Sequence, residues 1–184
     1  YHMARMYDEW PGEDSEGSSC RGAMKGWNRH GVCTEDLWAY RNAAGDVEFL
    51  SPTAGWDQDA AMRPLGAYYR IKKNSISDLQ SAILEVGAIY CSANVHSGWY
   101  LKRKKSLSLI PFESKKVGGH AFALIGYTED GFIVQNSWGK NWGYHGFAIL
   151  GYEDWVRNGT DAWVAVMGAP LRSSKSPRTF STRS

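Results

Sequence analysis

The sequence predicts an α+β fold, with helices in its first half and an antiparallel sheet in its last third. Three observations predict it. Two segments place apolar residues at helical spacing between a serine cap and a glycine stop, and the last third is a succession of short apolar runs. Two of those runs meet at Asp130-Gly131, a dipeptide that closes β-hairpins.

The elements follow in order. Residues 1–17 read as polar and turn-forming after a short Met/Tyr/Trp-bearing start, with Pro11-Gly12 and the acidic run Glu13-Asp14-Ser15-Glu16. From Ser19 onward, Ala23, Met24, Trp27 and His30 fall on one face of a helix. Ser18 or Ser19 can accept a hydrogen bond from its first free N–H groups, and Gly31 can end it in a left-handed turn. The stretch 41–67 has no period and reads as a long surface connection, followed by a strand over Ala67–Lys72. A second helix spans 76–86: Ser75 and Asp78 form the pattern of a capping box, Ile76, Leu79, Ile83 and Val86 line one face, and Gly87 stops it.

Ala88–Ala93 reads as a buried strand, and 94–116 as a basic insertion around Lys102-Arg103-Lys104-Lys105. His120–Tyr127 and Gly131–Asn136 form the hairpin, and His145–Leu150 and Ala162–Met167 are further strands. The organisation expected is one domain over 1–168 and a disordered basic tail over 169–184, where Arg172, Lys175, Arg178 and Arg183 stand without any acid.

Composition excludes several function classes. With 43% hydrophobic and 22% charged residues in 184, the chain can bury a core and is not a disordered binder. A formal net charge of +2 gives no bulk attraction for polyanions, so nucleic acid is not an expected partner. A mean hydropathy of −0.44, with no apolar run near the ~18 to 20 residues of a span, leaves no expected membrane role. Three cysteines are too few for a disulfide scaffold and cannot all pair, so at least one thiol is free. They make no zinc spacing with His30, and neither metal nor cofactor is expected.

Two segments carry chemistry: Gly118-Gly119-His120-Ala121 entering one hairpin strand, and Gln135-Asn136-Ser137-Trp138-Gly139 leaving the other. In a hairpin, the start of the first strand lies beside the end of the second, so His120 and Asn136 become neighbours. An imidazole that takes a proton from a nucleophile needs its other nitrogen held by an acceptor, and an amide oxygen does this without a full charge. Trp138 can cover that bond, and the double glycine lets an extended backbone come close. Spacing alone leaves open a second reading, in which His120 is a satisfied core residue.

The run GGHAFALIGY, then GFIVQNSWGKNWGYHGFAIL, resembles the C-terminal half of the papain-like cysteine peptidases, with their His-bearing strand and Asn-Ser-Trp-Gly motif. His30-Gly31-Val32-Cys33-Thr34-Glu35-Asp36-Leu37-Trp38-Ala39-Tyr40 resembles the segment after that family's second helix, closest to bacterial members, with Ala39 where a proline is usual. The resemblance covers about residues 15–168. It implies an incomplete helical left part and a right part built on an antiparallel sheet or half-barrel. It also implies His120 as partner of a catalytic thiolate, Asn136 as its orienting amide and Trp138 as its shield. The implied reaction is peptide-bond hydrolysis, with a peptide or protein as substrate.

The family's nucleophile lies ~130 to 150 residues before its His and Asn, which falls ahead of Tyr1. The expectation is therefore a fragment, inactive alone, whose thiol comes from a complementary N-terminal segment. Cys20, at a helix start after Gly17-Ser18-Ser19, is an alternative nucleophile with no glutamine before it, while Cys33 and Cys91 read as structural. His145 reads as a surface residue. Two further functions stay open: a non-catalytic peptide- or protein-binding module, and a cysteine-dependent acyltransferase or amidase. The sequence leaves substrate preference and compartment open.

Overall fold

The serine caps and glycine stops act where the sequence places them. In the computed structural model, which describes residues 1–8, 17–46 and 50–170, helix α1 (His2–Met6) precedes α2 (Cys20–His30). The Ser19 hydroxyl accepts from the Gly22 N–H at 3.0 Å, and α2 ends at Gly31 with φ 74°. Only glycine fits there, because a Cβ would sit 1.9 Å from the Ala60 carbonyl oxygen. A short helix α3 (Trp56–Ala60) interrupts the connection before strand β1 (Leu65–Arg70), and α4 (Ile76–Val86) is capped by Ser75, whose hydroxyl accepts from the Asp78 N–H at 3.4 Å.

The remaining strands are β2 (Ile89–His96), β3 (Lys116–Tyr127), β4 (Gly131–Gln135), β5 (Phe147–Gly151) and β6 (Gly159–Met167), with helix α5 (Tyr152–Asn158) between the last two. They form one six-stranded antiparallel sheet in the order β1-β6-β2-β3-β4-β5. Alternation along β2 divides the molecule. Ile89, Cys91, Ala93 and Val95 point into the main core with Leu79 and Ile83 of α4 and Trp155 of α5. Tyr90 points the other way, into a second cluster with Cys20 and Met24 of α2, Leu65 and Trp163. Thus α2 covers one face of the sheet, and α4 and α5 cover the other.

Several expectations need correction. The segment read as a basic insertion from 94 is core-forming in part: Asn94–His96 complete β2, Ser97–Trp99 form a 3₁₀ turn, and Trp99 and Ile110 are buried. Its apolar residues are too widely spaced among Lys and Ser to show a period. Helices α1, α3 and α5, of 5, 5 and 7 residues, are too short for their own periodicity. Strand β1 lies slightly earlier than expected, whereas β3 begins at Lys116 and β6 at Gly159, because glycines and polar residues in both extend a ladder whose hydrophobic part alone was visible. The acidic run 13–16 and the tail from 171 lie outside the described residues. No helix among the described residues is long and apolar enough to cross a membrane.

Candidate active site

His120 sits in β3 directly opposite Ala93, so its side chain shares the core face with Cys91, opposite Phe122. Asn136 follows the last residue of β4, and its N–H donates to the Gly146 carbonyl at 2.9 Å. The hairpin brings the two side chains together, 2.8 Å apart between His120 Nε2 and Asn136 Oδ1.

The protonation of this pair follows from its neighbours. The Ser137 backbone N–H lies 2.8 Å from the same Asn136 atom, and a backbone N–H can only donate, so that atom is the amide oxygen. An amide oxygen only accepts, so His120 Nε2 carries the hydrogen. In the neutral ring, Nδ1 therefore holds the lone pair, and this nitrogen is the one that can accept a proton. Burial pushes the His120 imidazole below its ordinary pKa, and the bond to Asn136 offsets part of that by favouring the charged ring. Asn136 Nδ2 is buried and makes no hydrogen bond among the described residues.

Aromatic rings enclose the imidazole. Trp138 lies 4.5 Å from it, centre to centre, at an interplanar angle of 34°, and is itself 41% exposed, so it screens the pair on the solvent side. Trp99, 1% exposed, meets the ring edge-on at 6.0 Å, and Phe122 lies at 5.9 Å. Trp99 was not legible in the sequence. It stands 21 residues from His120 in a segment that reads as polar, and no spacing rule joins the two.

Of the three thiols, only Cys91 lies on the sheet face of His120. Cys20, the first residue of α2, is buried against the face of Tyr90 and Trp163, opposite the face that carries His120. Burial pushes its thiol pKa up, against smaller downward pulls from the Ser92 and Tyr90 hydroxyls, so it lacks the stabilised thiolate a nucleophile needs. Cys91 is fully buried, and burial holds its pKa well above the ordinary value. Cys33 is half-buried beside an apolar cavity of about 300 Å³ in the helical part. His145 is exposed on a turn at φ 53°, and Lys102–Lys105 are exposed. Among the described residues, no group of His, Cys, Asp and Glu gathers to hold a metal ion.

Residues 8–161 match the sequence profile of the papain family of cysteine proteases. The chain belongs to that family. An uncharacterized peptidase C1-like protein of Acanthamoeba polyphaga mimivirus is 28% identical over 166 residues, which are 83% of this chain and 52% of that protein. A gut-specific cysteine proteinase of Caenorhabditis elegans is 37% identical over 83 residues, 43% of this chain and 24% of its own length. The chain thus spans about half the length, or less, of these curated relatives.

Among solved structures, xylellain, a cysteine protease from Xylella fastidiosa, superposes with a TM-score of 0.72 at 22% identity, covering 93% of this chain and 68% of its own. The bromelain protease of Ananas comosus gives 0.61 at 18% identity, covering 88% of this chain and 75% of its own. The fold is papain-like: α+β, with helices packed on an antiparallel sheet. Papain family cysteine proteases are hydrolases, and the family supports peptidase chemistry in general.

Proposed function

We propose that this chain supplies the base and its orienting amide to a cysteine peptidase whose thiol comes from residues N-terminal to it. The observation that carries the reading is the His120 Nε2–H bond to the doubly engaged Asn136 oxygen, which leaves Nδ1 as the proton acceptor. In the proposed reaction, Nδ1 takes the thiol proton and the resulting ion pair holds the thiolate. The thiolate attacks a peptide carbonyl, Nδ1–H passes its proton to the leaving amine as the C–N bond breaks, and water, giving a proton to Nδ1, attacks the thioester, whose C–S bond breaks to release the acid and restore the thiolate–imidazolium pair. Asn136 keeps the ring in one tautomer throughout and stabilises its charged form, while Trp138 limits the access of water.

Two observations support an external thiol. Cys20 faces the wrong side of the sheet and Cys91 is sealed in the core. The cavity lined by Met3, Ala4, Trp27, Trp38 and Trp56 is an apolar surface suited to a further helical segment. The same placement of thiols favours a second reading, a peptide-binding module without turnover.

The test extends the chain N-terminally along its reading frame, treats it with an electrophilic peptide probe, and assays hydrolysis of a fluorogenic peptide amide. Labelling of an upstream cysteine, with turnover abolished by His120→Ala, supports the peptidase. Peptide binding without labelling or turnover selects the module, and labelling of Cys20 overturns the proposed thiol assignment.

A further inference from the structure

His96 and Asp154 form a buried pair that the proposed reaction does not use. They are 1% and 5% exposed, lie 58 residues apart in sequence, and meet with His96 Nε2 2.8 Å from Asp154 Oδ2. The other imidazole nitrogen, Nδ1, accepts from the Gly98 backbone N–H at 3.2 Å, so the ring is neutral and its hydrogen sits on Nε2, donated to the carboxylate. Asp154 Oδ1 accepts from the Asn158 side-chain amide at 2.7 Å. The His96 ring therefore links α5 to the Ser97–Trp99 turn, with one nitrogen bonded to each.

That turn has little freedom left. A Cβ on Gly98 would lie 1.8 Å from the Pro111 carbonyl oxygen, so the backbone passes as close to 111 as glycine allows. The Ser97 N–H donates to the Lys115 carbonyl at 2.9 Å, and Trp142 Nε1–H donates to the Trp99 carbonyl at 2.6 Å. What the turn presents is Trp99, whose ring touches His120, Phe122, Trp138 and Trp142 at 5.1 to 6.2 Å between centres. Trp99 is thus a wall of the imidazole's enclosure.

We propose that His96 and Asp154 are positioning residues for His120: through Gly98 they fix the turn that holds Trp99 against the imidazole, and so keep its Nε2–H on Asn136. This assignment rests on His120 being the base. The physical step is confinement. If the carboxylate is removed, the buried His96 Nε2–H has no acceptor and the ring turns to find one. Gly98 then loses its bond, Trp99 moves, and water reaches both nitrogens of His120, which leaves Asn136 for part of the time.

The test reads the His120 ring in this chain directly, by long-range ¹H–¹⁵N correlation spectra assigned with His120→Gln. The intact chain should show one tautomer, hydrogen on Nε2. Asp154→Ala should replace that signature with averaged nitrogen shifts, whereas Asp154→Asn keeps an acceptor for His96 and should retain it, since the Asn158 amide can turn over. Met24→Ala, a destabilising control in the cluster on the other face, should retain it as well. A folded Asp154→Ala chain with the single-tautomer signature overturns the proposal. If Asp154→Ala does not fold, Asn158→Ala, which removes only the brace on Oδ1, decides: partial averaging supports the coupling and an unchanged spectrum overturns it. No turnover is needed, so a failure of the peptidase reading shows up separately, in the hydrolysis assay.

Discussion

Replacing Asn136 with alanine separates an orienting role from a structural one, because the structure predicts opposite sizes for its two effects. In the proposed reaction, the Asn136 oxygen would bind a neutral imidazole at first and an imidazolium once the thiol proton has moved. A hydrogen bond contributes roughly 0.5–1.5 kcal/mol to a neutral partner and roughly 1.5–3 to a charged one, so the charged state loses about 1–1.5 kcal/mol more. That difference alone is about tenfold in rate, and a ring free to rotate from its 2.8 Å contact brings the expected loss in kcat to about 10- to 100-fold.

For stability, the substitution removes two accepted bonds, from His120 and from Ser137, together roughly 1–3 kcal/mol. It also deletes Nδ2, a buried donor that finds no partner among the described residues and costs roughly 1–3 kcal/mol as it stands. The exposed Ser137 N–H turns to water. The two sides offset each other to within about 2 kcal/mol, and the melting temperature should move by no more than about 8 °C, since 1 kcal/mol shifts a chain of this size by roughly 2–4 °C. The assays are thermal unfolding of this chain and peptide hydrolysis by the N-terminally extended protein. A fall in melting temperature well beyond that bound, with kcat unchanged, would refute the reasoning and make Asn136 a structural residue.

Acid should weaken the fold through His120: its folded pKa is depressed by burial, so its contribution is fully present above the ordinary imidazole value and is lost as pH falls through the folded pKa. Urea unfolding at a series of pH values should show this slope, and His120→Gln should remove its share of it. A thiol reagent at neutral pH should label Cys33 first, with Cys20 and Cys91 reacting only as the chain opens; rapid labelling of Cys20 in the folded chain contradicts its burial. Gly31→Ala combines a positive φ with a Cβ placed 1.9 Å from the Ala60 carbonyl oxygen, so calorimetry should find a loss of at least about 1–3 kcal/mol, and an unchanged melting temperature would mean the turn can relax.

What the sequence made legible depended on how local each signal is. Helices α2 and α4, of 11 residues each, are flanked directly by a serine hydroxyl and a glycine, so cap, face and stop all fall inside one window. The His120–Asn136 pair was legible for a similar reason: a hairpin converts a separation of 16 residues into adjacency once its turn is known. Trp99 and the His96–Asp154 pair had no such translator. Their meeting needs β2 beside β3, and α5 packed against β2, and those contacts are decided by the whole sheet. Helix α5 is held by such contacts as well, with Trp155 in the core and its indole N–H donated to the Lys73 carbonyl at 2.8 Å, far outside its own seven residues.

Register explains why the thiol question has a structural answer at all. From Ile89↔Leu124 to Val95↔Gly118 the β2–β3 ladder runs without a slip, so the faces of seven successive positions are settled together. His120 falls with Ala93 on the face of the main core, and Tyr90, paired with Ala123, falls with Cys20 on the other. A slip of one residue would exchange those faces and put the imidazole beside Tyr90 and Trp163. It would also turn Phe122 and Leu124, 4% and 0% exposed, out of the main core, which costs about 2 kcal/mol or more per side chain. Burial of two hydrophobic side chains thus decides on which side of the sheet His120 stands. Under the proposed function, the thiol would have to approach from that same side, where Trp138 is the ring open to solvent.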